Sequence, residues 1–163
     1  MNKLSIERKA QVIRTLAEGN SIRATCRITG TAKGTVIRLL RDIGKACTEY
    51  QDKHLRNLSC QTVECDEIWS FCYAKAKNVP QDKQNQFGYG DVWTFVALDA
   101  DTKLVLSWLV GLRELEYAHR FTRDIKERLS NRVQLTTDGH RMYCEAVRNT
   151  FGADIDYAML VKY

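Results

Sequence analysis

In Glu64-Cys65-Asp66-Glu67-Ile68-Trp69-Ser70-Phe71, acidic residues interrupt a run of β-branched and aromatic residues that extends from Thr62 to Ala74. Such a run reads as a β-strand, and its alternation puts Asp66 on one face with Glu64 and Ile68, and Glu67 on the other. In a second stretch, Thr136-Thr137-Asp138-Gly139-His140, an aspartate ends a short strand expected over 133–137 and a glycine follows at once. Residues at the C-terminal ends of strands in α/β sheets face the ligand crevice. If the two strands are neighbours, Asp66 and Asp138 converge. Converging carboxylates repel unless a cation sits between them. Mg²⁺ (or Mn²⁺) suits such a place, because it takes oxygen ligands, one or two carboxylates and substrate phosphate. Two such ions about 4 Å apart activate the attacking oxygen and stabilise the leaving oxygen of an in-line displacement. The plain alternatives are a water-facing edge residue for Asp66 and a helix N-cap for Asp138.

Around these two segments the hydrophobic period sets the remaining elements. The polar stretch 75–90, with Pro80, reads as a loop. Residues 92–98 and 104–110 read as strands joined by a tight turn, which makes a hairpin and assigns Asp99 and Asp101 to turn geometry. A helix is expected over 114–129 and another over 139–151, stopped by Gly152, with a last strand over 155–161. The order is βββαβαβ. This is α/β (α+β) architecture, in the order of a ribonuclease-H-like fold without its closing helix.

The first 59 residues have a different period. Ser5 is placed to cap a first helix, in which Ile6, Ala10, Ile13 and Leu16 follow helical spacing. Ser21 caps a short second helix, Gly30 supplies a turn, and Thr31 caps a third helix carrying Val36, Leu39, Leu40 and Ile43. Cys26, Gly30 and Val36 stand where a helix-turn-helix wants a small residue, a turn glycine and an apolar anchor. The third helix then presents Lys33, Thr35 and Arg38 to a major groove, while Arg23, Arg27 and Arg41 suit backbone phosphates. An ordinary three-helix bundle with a solvated basic face is the plainer alternative.

Charge divides the chain at the same place. Residues 1–59 hold 12 Lys/Arg against 5 Asp/Glu, whereas 60–163 hold 13 against 15. We therefore expect a DNA-binding domain over 1–59 and a catalytic domain over 60–163, the first suited to a polyanion. So small a reader needs a homo-oligomer or more protein for strong sequence specificity. The six cysteines contain no C-x-x-C pair, which leaves them as reduced packing residues rather than zinc ligands. No apolar run is long enough for a membrane helix, and the N-terminus lacks a secretion signal, so a cytoplasmic protein without membrane contact is expected.

The segments CDEIWSF and TTDGHRMY resemble those of DDE transposases, above all the insertion-sequence-one type from bacterial mobile elements. The hairpin sequence from Val92 to Thr102 and the ending Leu160-Val161-Lys162-Tyr163 are similar as well. The resemblance implies a nucleoid-associated bacterial enzyme that binds terminal inverted repeats, cleaves double-stranded DNA and joins a freed 3′-hydroxyl to target DNA, with Asp66 and Asp138 as catalytic metal ligands. The family's third acid lies on a helix after the fifth strand, and no residue here is assigned to it. On that basis the expectation is a C-terminally truncated, inactive copy whose metal is held only in the complete enzyme. The alternative is a non-catalytic DNA-binding regulator of transposition.

Overall fold

A computed structural model describes residues 4–86 and 88–161. It divides into two compact units that meet between His54 and Leu55.

The first unit is three helices: α1 (Ile6–Ala17), α2 (Ile22–Thr29) and α3 (Lys33–His54). Ser5 and Ser21 act as N-caps, accepting hydrogen bonds from the amides of Arg8 (3.3 Å) and Ala24 (3.1 Å). Gly30 ends α2 in the left-handed region, φ +63°, a conformation that glycine reaches without a Cβ clash. That turn brings α3 back against the other two helices. Val12 and Val36 are fully buried at the centre, together with Thr25 and Thr29. The small residues sealed at the helix crossing are Thr25 and Thr29, while Cys26 is half-buried. Thr29 fits because its hydroxyl donates to the Thr25 carbonyl at 2.8 Å, whereas the Thr25 hydroxyl is buried without a hydrogen-bond partner. Thr31 caps nothing: its hydroxyl is buried without a hydrogen-bond partner, and the first bonds of α3 run from Thr35 and Val36 to the Ala32 carbonyl. The buried stripe of α1 is also shifted onto Val12, leaving Ile6 exposed.

The second unit is built on five strands: β1 (Thr62–Cys72), β2 (Gly90–Asp99), β3 (Val105–Gly111), β4 (Gln134–Asp138) and β5 (Asp156–Leu160). Their order across the sheet is β3-β2-β1-β4-β5. The first three pair antiparallel, and β1–β4 and β4–β5 pair parallel. Helix α4 (Leu115–Arg128) carries the chain from one edge to the far side of β1, and α5 (Arg141–Phe151) links the two parallel strands. This is a mixed sheet of ribonuclease-H-like order, as the sequence period implied. Both helices pack one face, where Val63, Cys65, Phe95, Ala97, Leu106, Phe121, Ile125, Leu135, Tyr143 and Val147 form a continuous core. The opposite face leaves Ile68, Trp108, Val110 and Leu160 exposed, and no helix among the described residues covers it.

Residues 55–59, read from sequence as the tail of the helical part, belong to this second unit. Leu58 bonds through its amide to the Arg128 carbonyl (2.9 Å) and through its carbonyl to the Ser130 amide (2.9 Å). Asn131 grips Cys60, accepting from its amide (3.2 Å) and donating to its carbonyl (2.8 Å). At the end of β3, a Cβ on Gly111 would stand 2.0 Å from the Tyr117 ring, so glycine is what lets α4 start against the sheet there.

The β2–β3 turn makes a pH-dependent contribution. Asp99 is buried, and its carboxylate accepts from both the hydroxyl and the amide of Thr102. The hydroxyl contact, the largest influence, outweighs burial and holds the Asp99 carboxyl below its ordinary value. A carboxyl lowered on folding stabilises fully above the unfolded value of about 4 and ceases to do so as pH falls through the folded one. Thr102→Val is therefore expected to lower the melting temperature at pH 7. That deficit narrows below about pH 4 in a calorimetric pH series, and a gap independent of pH would refute this origin.

Candidate functional site

β4 pairs with β1 only from Thr62 to Cys65, the last rung being Cys65–Thr137. Asp66 and Asp138 each stand one residue beyond that rung, on neighbouring parallel strands about 4.8 Å apart. Parallel pairing thus brings the two aspartates to one end of the β1–β4 seam. Asp66 is exposed, and its Oδ1 accepts from the Glu67 amide at 2.8 Å. Asp138 is half-buried, and its Oδ1 accepts from the His140 amide at 3.1 Å. The N-cap residue of α5 is His140, so Asp138 serves the turn before the helix and does not cap it.

Sequence reasoning set Glu67 aside as lying on the wrong face, and it missed Arg113. The Glu67 side chain does lie on the helix-covered face and is only 1% exposed. There its Oε2 accepts from Arg113 Nη2 at 3.1 Å, and the same nitrogen donates to Asp138 Oδ2 at 3.3 Å. The guanidinium also lies over Trp93, 4.6 Å from the ring centroid. Arg113 leaves the end of β3 just before α4, so a residue distant in sequence supplies the cation shared by the two acids. An isolated buried carboxylate costs several kcal/mol, and Arg113 is what makes Glu67 tolerable there. Tyr143 stands beside this group. Burial first, then neighbouring negative charge that includes Glu67 and Asp138, pushes its phenol well up. The ion pair was not legible because its spacing in the chain follows no local period; its one sequence signal is an acid on the inward face of a strand.

The donor set suits a hard divalent cation. Asp66 and Asp138 offer only carboxylate oxygens, and one side of the pair is open to solvent. Arg113 already contacts one oxygen of Asp138, so a metal there would share that carboxylate or displace the guanidinium. Among the described residues no three His, Cys, Asp or Glu side chains are grouped to hold a metal ion. All six cysteines are free thiols.

In the first unit, Lys33 and Arg38 are exposed on α3 and Thr35 beside them is half-exposed. Arg23 and Arg27 are exposed on α2, and Arg41, also exposed, sits 3.5 Å from Asp42. Ile37 and Leu40 add apolar surface on α3. Among the described residues no helix is long and apolar enough to cross a membrane.

No family model matches the sequence, and no curated protein matches it either. Among solved structures the fold is similar to that of a piggyBac transposase in a synaptic complex with hairpin DNA, at a TM-score of 0.53 and 10% sequence identity. The similarity covers 99% of this chain and 43% of that one, so this chain spans less than half the length of that transposase.

Proposed function

We propose that this chain works in DNA transposition, with the first unit as a helix-turn-helix reader of duplex DNA and the second, from Leu55 onward, as a domain of DDE-transposase type. The supporting observation is the adjacency of Asp66 and Asp138 on the neighbouring strands β1 and β4 of a ribonuclease-H-like sheet. The likeness to a DNA-bound transposase supports the same reading. Lys33, Thr35 and Arg38 meet the major groove, and Arg23, Arg27 and Arg41 meet phosphates. The resemblance of the acidic segments to insertion-sequence-one elements makes terminal inverted repeats the DNA of choice. Asp66 and Asp138 hold Mg²⁺ or Mn²⁺, which supplies Lewis-acid help to attacking and leaving oxygens. The protein's own part is to fix both carboxylates at one seam and to keep Arg113 against Asp138, where it can also meet a phosphate.

One observation favours the second reading, a DNA-binding regulator without catalysis: Asp138 is already paired with Arg113. Two measurements separate the readings. Duplex binding, followed by fluorescence anisotropy, is expected to weaken steeply with added salt, and Lys33→Ala and Arg38→Ala each shallow the logarithmic salt slope by about 1. Mn²⁺ added to isotope-labelled protein is expected to broaden the amide resonances around Asp66 and Asp138 selectively, and Asp66→Asn is expected to abolish that effect. Salt-dependent duplex binding without selective broadening would leave the regulator. Binding that ignores salt would overturn both.

A further inference from the structure

Beyond Cys65, β1 loses its partner β4 but stays paired with β2 as far as Cys72–Gly90, while β2 meets β3 only from Trp93 onward. Residues 70–72 and 90–92 therefore form a two-stranded ribbon reaching past the sheet. Its surface is aromatic. Trp69 and Phe71, two residues apart on one strand face, have ring centroids 5.7 Å apart and are 39% and 47% exposed. Tyr73 follows at 63% exposure, its ring 5.1 Å from that of Tyr89. Tyr73 holds φ +65°, a backbone state that glycine or asparagine adopts at less cost. That conformation ends the strand and turns the chain toward Tyr89. Lysines accompany the rings: Lys75 Nζ lies 5.0 Å from the Trp69 centroid, and Lys83 Nζ lies 4.9 Å from Tyr73 and 5.4 Å from Tyr89.

Exposed rings anchor protein interfaces as well as nucleic-acid strands; what favours a strand here is that lysine ammonium groups lie over the faces of Trp69, Tyr73 and Tyr89 on an open ribbon. Bases stack on aromatic faces whatever their identity, and lysines take the phosphates between them. The ring surface continues from the Glu67–Arg113–Asp138 group at the end of the seam, since Trp69 shares the Glu67 face of β1 and is the cross-strand partner of Trp93, the ring beneath Arg113. We propose that Trp69, Phe71, Tyr73 and Tyr89, with Lys75 and Lys83, form a stacking platform for an unpaired stretch of nucleic-acid strand leading to or from the Asp66–Asp138 seam. In the free protein the lysines rest over the rings; on binding, each exchanges its ring for a phosphate while a base takes the ring face. The proposal rests on the reading that the second unit acts on DNA, and it adds that this DNA is locally single-stranded.

The test uses the full chain and a single-stranded oligodeoxynucleotide of roughly 12 thymidines with one central 2-aminopurine, enough to span a site of this size. Binding is expected to quench the 2-aminopurine emission, as stacking on indole or phenol does. Trp69→Ala and Phe71→Ala are each expected to weaken single-strand binding on the order of tenfold and to remove most of the quench. Trp69→Phe and Phe71→Trp retain both, which separates stacking from a folding defect. Lys33→Ala with Arg38→Ala lowers duplex binding and leaves the quench intact. An unquenched or unbound strand, or alanine variants that quench like the parent, overturns the platform. Loss of duplex binding in the parent would instead overturn the proposed function.

Discussion

Arg113→Ala is expected to destabilise the second unit by about 3 kcal/mol, the low end of the cost of breaking a buried ion pair. The side chain left behind, Glu67, is only 1% exposed and loses the guanidinium that compensates its charge. The low end applies because Arg113 is itself 35% exposed and part of its attraction is screened. Its flat contact with Trp93 is lost as well. Arg113→Lys recovers less than half, since an ammonium lacks the guanidinium plane that lies on the Trp93 indole while one of its nitrogens meets both carboxylates. Combining Arg113→Leu with Glu67→Met removes both charges and is expected to return most of the stability. The three tryptophans, Trp69, Trp93 and Trp108, all lie in the second unit, so urea unfolding followed by tryptophan emission reads that unit alone. An Arg113→Ala midpoint within error of the parent would show that Glu67 does not depend on this partner.

Phe121→Ala is expected to cost about 3–5 kcal/mol by the same measurement. Phe121 is 1% exposed and sits between the sheet and α5, its centroid 5.6 Å from Phe95 and 6.5 Å from Tyr143. Truncation leaves a cavity that these two rings cannot close without leaving their own contacts. Phe121→Leu, nearer in volume, costs about 1 kcal/mol. The loss reaches the site, because α4 carries Phe121 and begins two residues after Arg113. A penalty for the alanine variant no larger than for leucine would mean that the site collapses around the gap.

The order of elements was legible because each segment carries its own period. The run from Thr62 to Cys72 alternates and ends at the strained Tyr73, so its strand character is local. The α4 stripe Ala118, Phe121, Thr122, Ile125 repeats at helical spacing and is buried for that reason. Ser5, Ser21 and Gly30 mark helix ends through bonds or backbone angles that involve a few residues only. The same local reasoning misjudged Cys26 and Thr31, since which side of a short helix is sealed depends on helices elsewhere in the chain.

The sequence by itself determined the strand-and-helix order, the charge division and the candidacy of Asp66 and Asp138, all of which follow from nearest neighbours and period. Tertiary structure alone decided that β1 lies between β2 and β4, which brings the two aspartates to one seam. It also decided that Arg113 reaches Glu67 and Asp138 together, and that Tyr89 comes against Tyr73. The physical reason is shared. A carboxylate's partner and a ring's partner across a loop are fixed by which strands pair and where a connecting helix begins, and those contacts join residues far apart in the chain that no local pattern relates.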